Sequence, residues 1–405
     1  MYPNELCVEL WQAIASNLFI VDQKSLRAAS RDLKHAVEPV LCTSVCLVLK
    51  LGDLCNEISQ LQVLASGQSS WCRCQALKIN TLAPGGIHGP TEYTWAVNRM
   101  HQYLRLAIES LKNLNIVEWT IQDADLLWAQ TVVIETLNTM SSVRCLNLTD
   151  AMIKTDRFAA LPPLSNLRDL VLSSRNSWSS RGEFLPWLQR GVRASRKLKI
   201  LGLDDSQGPE QLWETLKQEN IRLQILNIPE MTEHVLEYLA SYSGLLVLQA
   251  GIMYNRFGDQ FFSDMLPKHV ESLLVLRCPG YSEGACSFGP KNITLISEMH
   301  QLQVLEMTVT EEDMSRRETP VAGDDIVWQF LEMTTMMPDL EEIAILPAVS
   351  NMSARCGNAA KRHIRTVRLR IGDTIDTFAK ERGSPKVDNL VAKHFQRVES
   401  FGKGR

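Results

Sequence analysis

Apolar residues recur along this chain in one short pattern: apolar, two others, apolar, one other, apolar. Successive copies are Cys42/Val45/Leu47, Cys74/Leu77/Ile79, Leu114/Val117/Trp119, Val143/Leu146/Leu148 and Leu167/Leu170/Leu172. Further on come Leu198/Leu201/Leu203, Leu223/Leu226/Ile228, Leu245/Leu248/Ala250, Val270/Leu273/Val275, Leu302/Leu305/Met307, Leu340/Ile343/Ile345 and Ile364/Val367/Leu369. The last two apolar positions of each copy have period two and predict a strand with one side buried. Twelve copies spaced 22 to 40 residues apart fall in and just above the leucine-rich-repeat range.

Helical spacing fills most gaps, at residues 53–65, 94–111, 126–140, 210–218, 232–241 and 325–337. Pro209 suits a first turn and Thr232 a cap. Strand, helix, strand implies parallel strands with crossovers, so the expected class is α/β: an irregular (β/α) solenoid with a parallel sheet over residues 42–372. No asparagine follows the strands regularly; Ala151, Arg175 and Ser206 stand near that position, which predicts variable loops. Gly85-Gly86 and residues 176–182, 279–290 and 313–323 are the expected excursions. Residues 373–382 and 386–398 read as closing helices, and residues 373–405 as a cap and tail.

Residues 1–41 differ. Leu6, Leu10, Ile14 and Leu18 share one helix face. Asp22 is placed to cap a second short helix with Leu26 on its apolar side. A third carries Leu33, Ala36 and Val37 and is expected to end at Pro39. Three short helices of this size must lean on a partner or on the rest of the chain.

Composition narrows the function. The 405 residues are 45% hydrophobic and 22% charged, with a net charge of −4, which does not suit a nucleic-acid binder. No signal peptide or membrane-length apolar run is read, so the expected location is cytoplasmic and/or nuclear, with ten reduced cysteines. The Asn-x-Ser/Thr matches at Asn147, Asn292 and Asn351 then carry no meaning. Gly280-Tyr281-Ser282-Glu283-Gly284 matches a nucleophile elbow, but Pro279 before it and Pro290 after it make it read as a loop. Cys42, Cys46, Cys72 and Cys74 lack zinc-site spacing. No catalytic group, metal or cofactor is expected.

A helical trio followed at once by irregular leucine-rich repeats resembles the F-box/leucine-rich-repeat proteins of the divergent fungal kind. Leu6, Glu9, Leu10, Ile14, Leu18, Asp22, Leu26, Arg31 and Pro39 match the F-box pattern, while Cys7 and Gln23 replace its usual proline and leucine. The resemblance implies a non-enzymatic substrate receptor of a cullin-RING (SCF-type) ubiquitin ligase. Its F-box would dock on a Skp-type adaptor, and through it a cullin, by Leu6, Cys7, Leu10, Ile14, Leu18, Leu26 and Leu33. The alternative is a repeat scaffold whose F-box has decayed. The repeats would hold a target protein on their inner strand face, where Ile200, Ile225, Asn227, Val247, Gln249, Val304 and Arg368 are the candidate contacts. The inward position of the ninth copy falls on Leu274. Arg368 belongs to a basic cluster with Lys361, Arg362, His363, Arg365 and Arg370, suited to an acidic or phosphorylated segment.

Overall fold

The computed structural model describes residues 6–44, 47–50, 54–83, 89–151, 160–174, 184–204, 210–280, 283–314, 325–348 and 357–382. Expectations placed on Cys46, Gly85, Gly86, Arg175, Ser206, Tyr281, Ser282, Asn351, residues 176–182, most of 313–323, and 386–405 lie outside them. The chain divides into two compact units, residues 1–198 and 199–405.

The first unit opens with α1 (Val8–Ser16), α2 (Ile20–Ala29) and α3 (Arg31–Ser44). Ala15, Ala36, Val37, Leu41 and Cys42 form the small core of this trio. Two expectations are corrected here. Phe19, not Asp22, is the N-cap of α2; Asp22 lies in its first turn, where its charge still suits the helix dipole. Pro39 sits inside α3 rather than ending it. A proline there forfeits a backbone hydrogen bond, and burial of Ala36, Val37, Leu41 and Cys42 on both sides of it holds the helix together. Gln23, the departure from the expected leucine, is buried and donates from Nε2 to the carbonyls of Ala15 (2.9 Å) and Leu18 (3.1 Å), closing the C-terminal end of α1.

Strands β1 (Leu47–Lys50), β2 (Ala76–Thr81), β3 (Ile116–Gln122), β4 (Cys145–Ala151) and β5 (Asp169–Ser174) follow, separated by α4 (Leu54–Ala65), α5 (Pro90–Glu109) and α6 (Leu127–Thr139); α7 (Phe184–Ala194) comes after β5. Each strand pairs in parallel with the next. Leu77, Val117, Leu146 and Leu170 are register partners and buried, as the period-two pattern requires. The first copy is corrected by two residues. Leu47 pairs with Leu77 and Leu49 with Ile79, so the strand positions are Leu47/Leu49, because α3 runs on to Ser44 and Cys42 belongs to the helix core.

Side chains close the turns where an asparagine ladder is missing. Asn138 donates from Nδ2 to the Pro163 carbonyl (2.8 Å) and accepts from the Ser165 N–H (2.9 Å), and Trp187 Nε1 donates to the Pro162 carbonyl (2.8 Å). Asp125, buried, accepts from the N–H groups of Leu82 (2.6 Å) and Gln122 (3.0 Å) and from the Thr81 hydroxyl (3.1 Å), tying the ends of β2 and β3 together. Burial pushes its carboxyl above the ordinary aspartate range, and those donors pull it back. Asp125→Ala strands the Leu82 N–H in the interior, so it should cost about 2 kcal/mol. The urea midpoint of the full chain is the measurement, and an unshifted midpoint would remove Asp125 from the stabilising contacts.

The second unit holds β6 (Ile200–Leu203), α8 (Glu210–Gln218), β7 (Ile225–Glu230), α9 (Glu233–Leu239), β8 (Val247–Ile252), β9 (Val275–Arg277), α10 (Ile293–Ser297), β10 (Val304–Val309), α11 (Ile326–Thr335), β11 (Glu342–Pro347) and α12 (Gly357–Arg382). A run of short helical turns over residues 255–268 connects β8 to β9. All six strands are parallel and pair in chain order. Leu201, Leu226, Leu248, Leu276, Leu305 and Ile343 form one buried rung beneath the helices, each leucine contributing about 1.5–3 kcal/mol of apolar burial. Thr232 caps α9 through the Val235 N–H, as expected, and Asp325 caps α11 through Val327 and Trp328.

The ninth copy is corrected by three residues. Leu276, not Leu273, is the register partner of Leu248 and Leu305, so the copy reads Leu273/Leu276/Cys278. Cys278 is fully buried and acts as a small hydrophobe. The twelfth copy is not a strand. Ile364, Val367 and Leu369 lie on α12, whose buried face is Val367, Ile371, Thr374, Ile375 and Phe378. Those residues repeat at three and four, which is helical spacing.

Candidate functional site

Two surfaces carry the chemistry expected of a binding protein, one in each unit. The first is the set of large apolar side chains that α1, α2 and the turn between them leave exposed. Of fourteen large apolar side chains left exposed among the described residues, six fall between residues 8 and 21: Val8, Leu10, Ile14, Phe19, Ile20 and Val21. Phe19 is 83% exposed and Val21 73%, an expensive arrangement in water unless something covers it. Among the expected adaptor contacts, Cys7, Leu10 and Ile14 are exposed, and Leu6, Leu18, Leu26 and Leu33 are half-buried. None is sealed inside the trio. Val8, Phe19, Ile20 and Val21 join the patch although helix spacing did not mark them; three consecutive apolar residues at a helix start were the only signal.

The second surface is a groove of about 720 Å³ over the sheet of the second unit. That size lies inside the roughly 300–1,000 Å³ range of well-formed ligand sites. Its floor holds Asn227, Gln249, Arg277 and Glu306, register partners on the four adjacent strands β7 to β10. Parallel strands in register bring such side chains about 4.8 Å apart. Leu346 and Pro347 close one end, Leu203 and Asp204 the other, and Ile364 and Arg368 of α12 stand over it as a wall. Gly251, also lining, is required by close strand approach, since a Cβ there would lie 2.7 Å from the Pro229 carbonyl oxygen.

The structure therefore brings three expected target contacts together, Asn227, Gln249 and Arg368. Ile200, Ile225, Val247 and Val304 occupy the next rung, half-buried, and do not line the groove. Arg277 was missed because the slipped ninth copy put Leu274 in its place. Its Nη2 donates to both carboxylate oxygens of Glu342 at 3.1 Å, while its buried Nε has no hydrogen-bond partner among the described residues.

A clasp fastens α12 beside the groove. The two ring nitrogens of His363 lie 3.4 Å from Glu283 Oε1 and 3.1 Å from Glu311 Oε2, and Arg370 donates to Glu311 Oε1 at 3.2 Å. Glu283, Glu311 and His363 have ligand atoms within 4.8 Å of one another, the metal-like cluster among the described residues. Each ring nitrogen faces a different carboxylate and Arg370 already neutralises one of them, which is the geometry of an ion-pair network. Among the described residues, no helix is long and apolar enough to cross a membrane. No protein-family model matches this chain, and no curated protein matches it in sequence.

Proposed function

We propose that this protein is a substrate receptor of a cullin-RING ubiquitin ligase, working in the cytoplasm or nucleus. The apolar patch of α1 and α2 docks on a Skp-type adaptor, which links the chain to a cullin, and the groove over the strands holds a target protein. The observation that carries this reading is the exposure itself: Leu10 and Ile14, which fit the F-box pattern, stand exposed, and so do Phe19, Ile20 and Val21 at the start of the next helix. The strands of the second unit act as the leucine-rich solenoid in this reading, and all six of them line the groove. The receptor makes and breaks no bond. It raises the effective concentration of the target's lysines beside a charged ubiquitin-conjugating enzyme.

A second reading, a repeat scaffold without a ligase, draws on Gln23. That side chain turns inward to cap α1 rather than adding an apolar contact to the patch.

Co-purification of the full chain with a Skp-type adaptor separates the two. The wild-type chain should capture it. Phe19→Asp and Leu10→Asp should each weaken capture by about 2 kcal/mol, roughly thirtyfold, as expected of a buried interface anchor. Both sites are exposed, so the variants should melt like the wild type. A wild-type chain that captures no adaptor removes the ligase reading and leaves the scaffold.

A further inference from the structure

The α12 side of the groove is cationic. Residues 357–372 carry Lys361, Arg362, Arg365, Arg368 and Arg370 and no Asp or Glu. Arg370 is taken by Glu311. Lys361, Arg362, Arg365 and Arg368 form no ion pair with any described residue, and all are exposed or half-exposed. At 100° per residue, Lys361, Ile364, Arg365 and Arg368 fall within one face of α12 about 100° wide, which flanks the side that Val367 and Ile371 bury. Ile364 and Arg368 of that face line the groove, so the cations continue its wall outward in a stripe. The groove floor is different. Asn227 and Gln249 present side-chain amides, each able to donate and accept, and neither has a hydrogen-bond partner among the described residues.

We propose that the groove takes an extended, acidic peptide segment of the target protein, with its carboxylate side chains along the cationic face of α12 and its backbone against the amides of Asn227 and Gln249. This rests on the reading above that the groove is where a target is held, and it names the chemistry of that target. The peptide backbone is the natural partner of side-chain amides, because it offers the same donor and acceptor groups. Carboxylates are the natural partner of an unpaired guanidinium, which receives them in a two-pronged hydrogen bond. Glu306 and Asp204 at the floor and far end set the direction: acidic side chains point toward α12 and away from the sheet.

The test uses the full-length chain and a fluorescein-labelled peptide rich in Asp and Glu, with three comparison probes: its Asn/Gln counterpart, a phosphoserine-bearing version and a single-stranded RNA of matched charge. Fluorescence anisotropy should show the acidic peptide binding at least about tenfold tighter than the neutral one, with affinity falling as salt rises. Arg365→Glu and Arg368→Glu should each weaken it by about tenfold or more. Lys268→Glu, on the exposed turn before β9, should not. Equal affinity for the acidic and neutral peptides, or wild-type affinity in Arg368→Glu, would overturn the proposal. Tighter binding of the RNA would overturn it in favour of a nucleic-acid groove. The phosphoserine peptide binding where the carboxylate peptide does not would replace the carboxylate with a phosphate and overturn the acidic class. The assay contains no adaptor, so a failed adaptor capture leaves its result standing, and a failed peptide measurement leaves the adaptor result standing.

Discussion

Phe378→Ala should lower the stability of the second unit by about 3–5 kcal/mol, the usual cost of deleting a fully buried aromatic ring. Phe378 lies one turn from the end of α12, and its ring meets that of Trp328 on α11 edge-on, with centroids 5.0 Å apart. Both rings are sealed from solvent. The other link at that end, Arg382 to Glu332 at 2.9 Å, is exposed and contributes little. Truncation at 378 therefore loosens the helix that carries Ile364 and Arg368, so acidic-peptide affinity should fall together with the melting temperature. Adaptor capture, which the proposed function assigns to α1 and α2, should not change. An unshifted melting temperature would show that α12 is held by the His363 clasp alone. Retained peptide affinity in a destabilised chain would detach the groove wall from the Trp328–Phe378 contact.

Acidification should cost this unit about 3 kcal/mol through one residue. His269 is fully buried; its Nδ1 accepts from the Leu245 N–H at 3.3 Å and its Nε2 lies 3.1 Å from the Leu239 carbonyl oxygen, so the ring is neutral with the proton on Nε2. Burial pushes its pKa down to about 4 from an ordinary 6.5, against the pull of the Leu239 carbonyl. The folded state holds no proton there between those values, whereas the unfolded chain takes one up below 6.5. Unfolding therefore binds a proton across that window, and stability falls as pH drops from 6.5 to about 4. The distance between the two values corresponds to about 3 kcal/mol. A second N–H on the ring would also confront the Leu245 N–H instead of accepting from it. Urea unfolding at a series of pH values should show this slope in the wild type. His269→Ala should be less stable at neutral pH and lose His269's share of the slope. Parallel pH profiles in the two proteins would rule the histidine out.

Much of the strand pattern was legible because both apolar residues of each pair are buried. Leu77/Ile79, Leu146/Leu148 and Leu226/Ile228 carry that signal without competition. It failed where two registers were equally apolar. Val270, Leu273, Leu274, Val275 and Leu276 allow either alignment, and the pairing of Leu276 with Leu248 and Leu305 decides between them. That slip hid Arg277 from the groove. It failed again at Ile364 and Val367, because a spacing of three fits both a repeat and a helix, and the helical continuation through Ile371, Ile375 and Phe378 was set apart as a separate closing segment. Asn227, Gln249 and Arg368 were all found from strand alternation, the third although its copy is a helix rather than a strand. What no linear pattern shows is that Arg368 reaches the groove from a helix rather than from a strand. The patch of the first unit was half-legible: Leu10 and Ile14 follow helix spacing, while Phe19, Ile20 and Val21 follow none.

Within each unit, every strand hydrogen-bonds to the strand immediately before and after it in the chain. A polypeptide built this way never waits for a distant segment. Each newly made strand finds its template a few tens of residues behind it, and doubling such a loop adds only about 0.6 kcal/mol of closure entropy. Folding can then follow synthesis, with the N-terminal helices in place before the last groove residues, Ile364 and Arg368, leave the ribosome. The exposed apolar side chains of α1 and α2 are thus in place while the groove over the later strands is still incomplete.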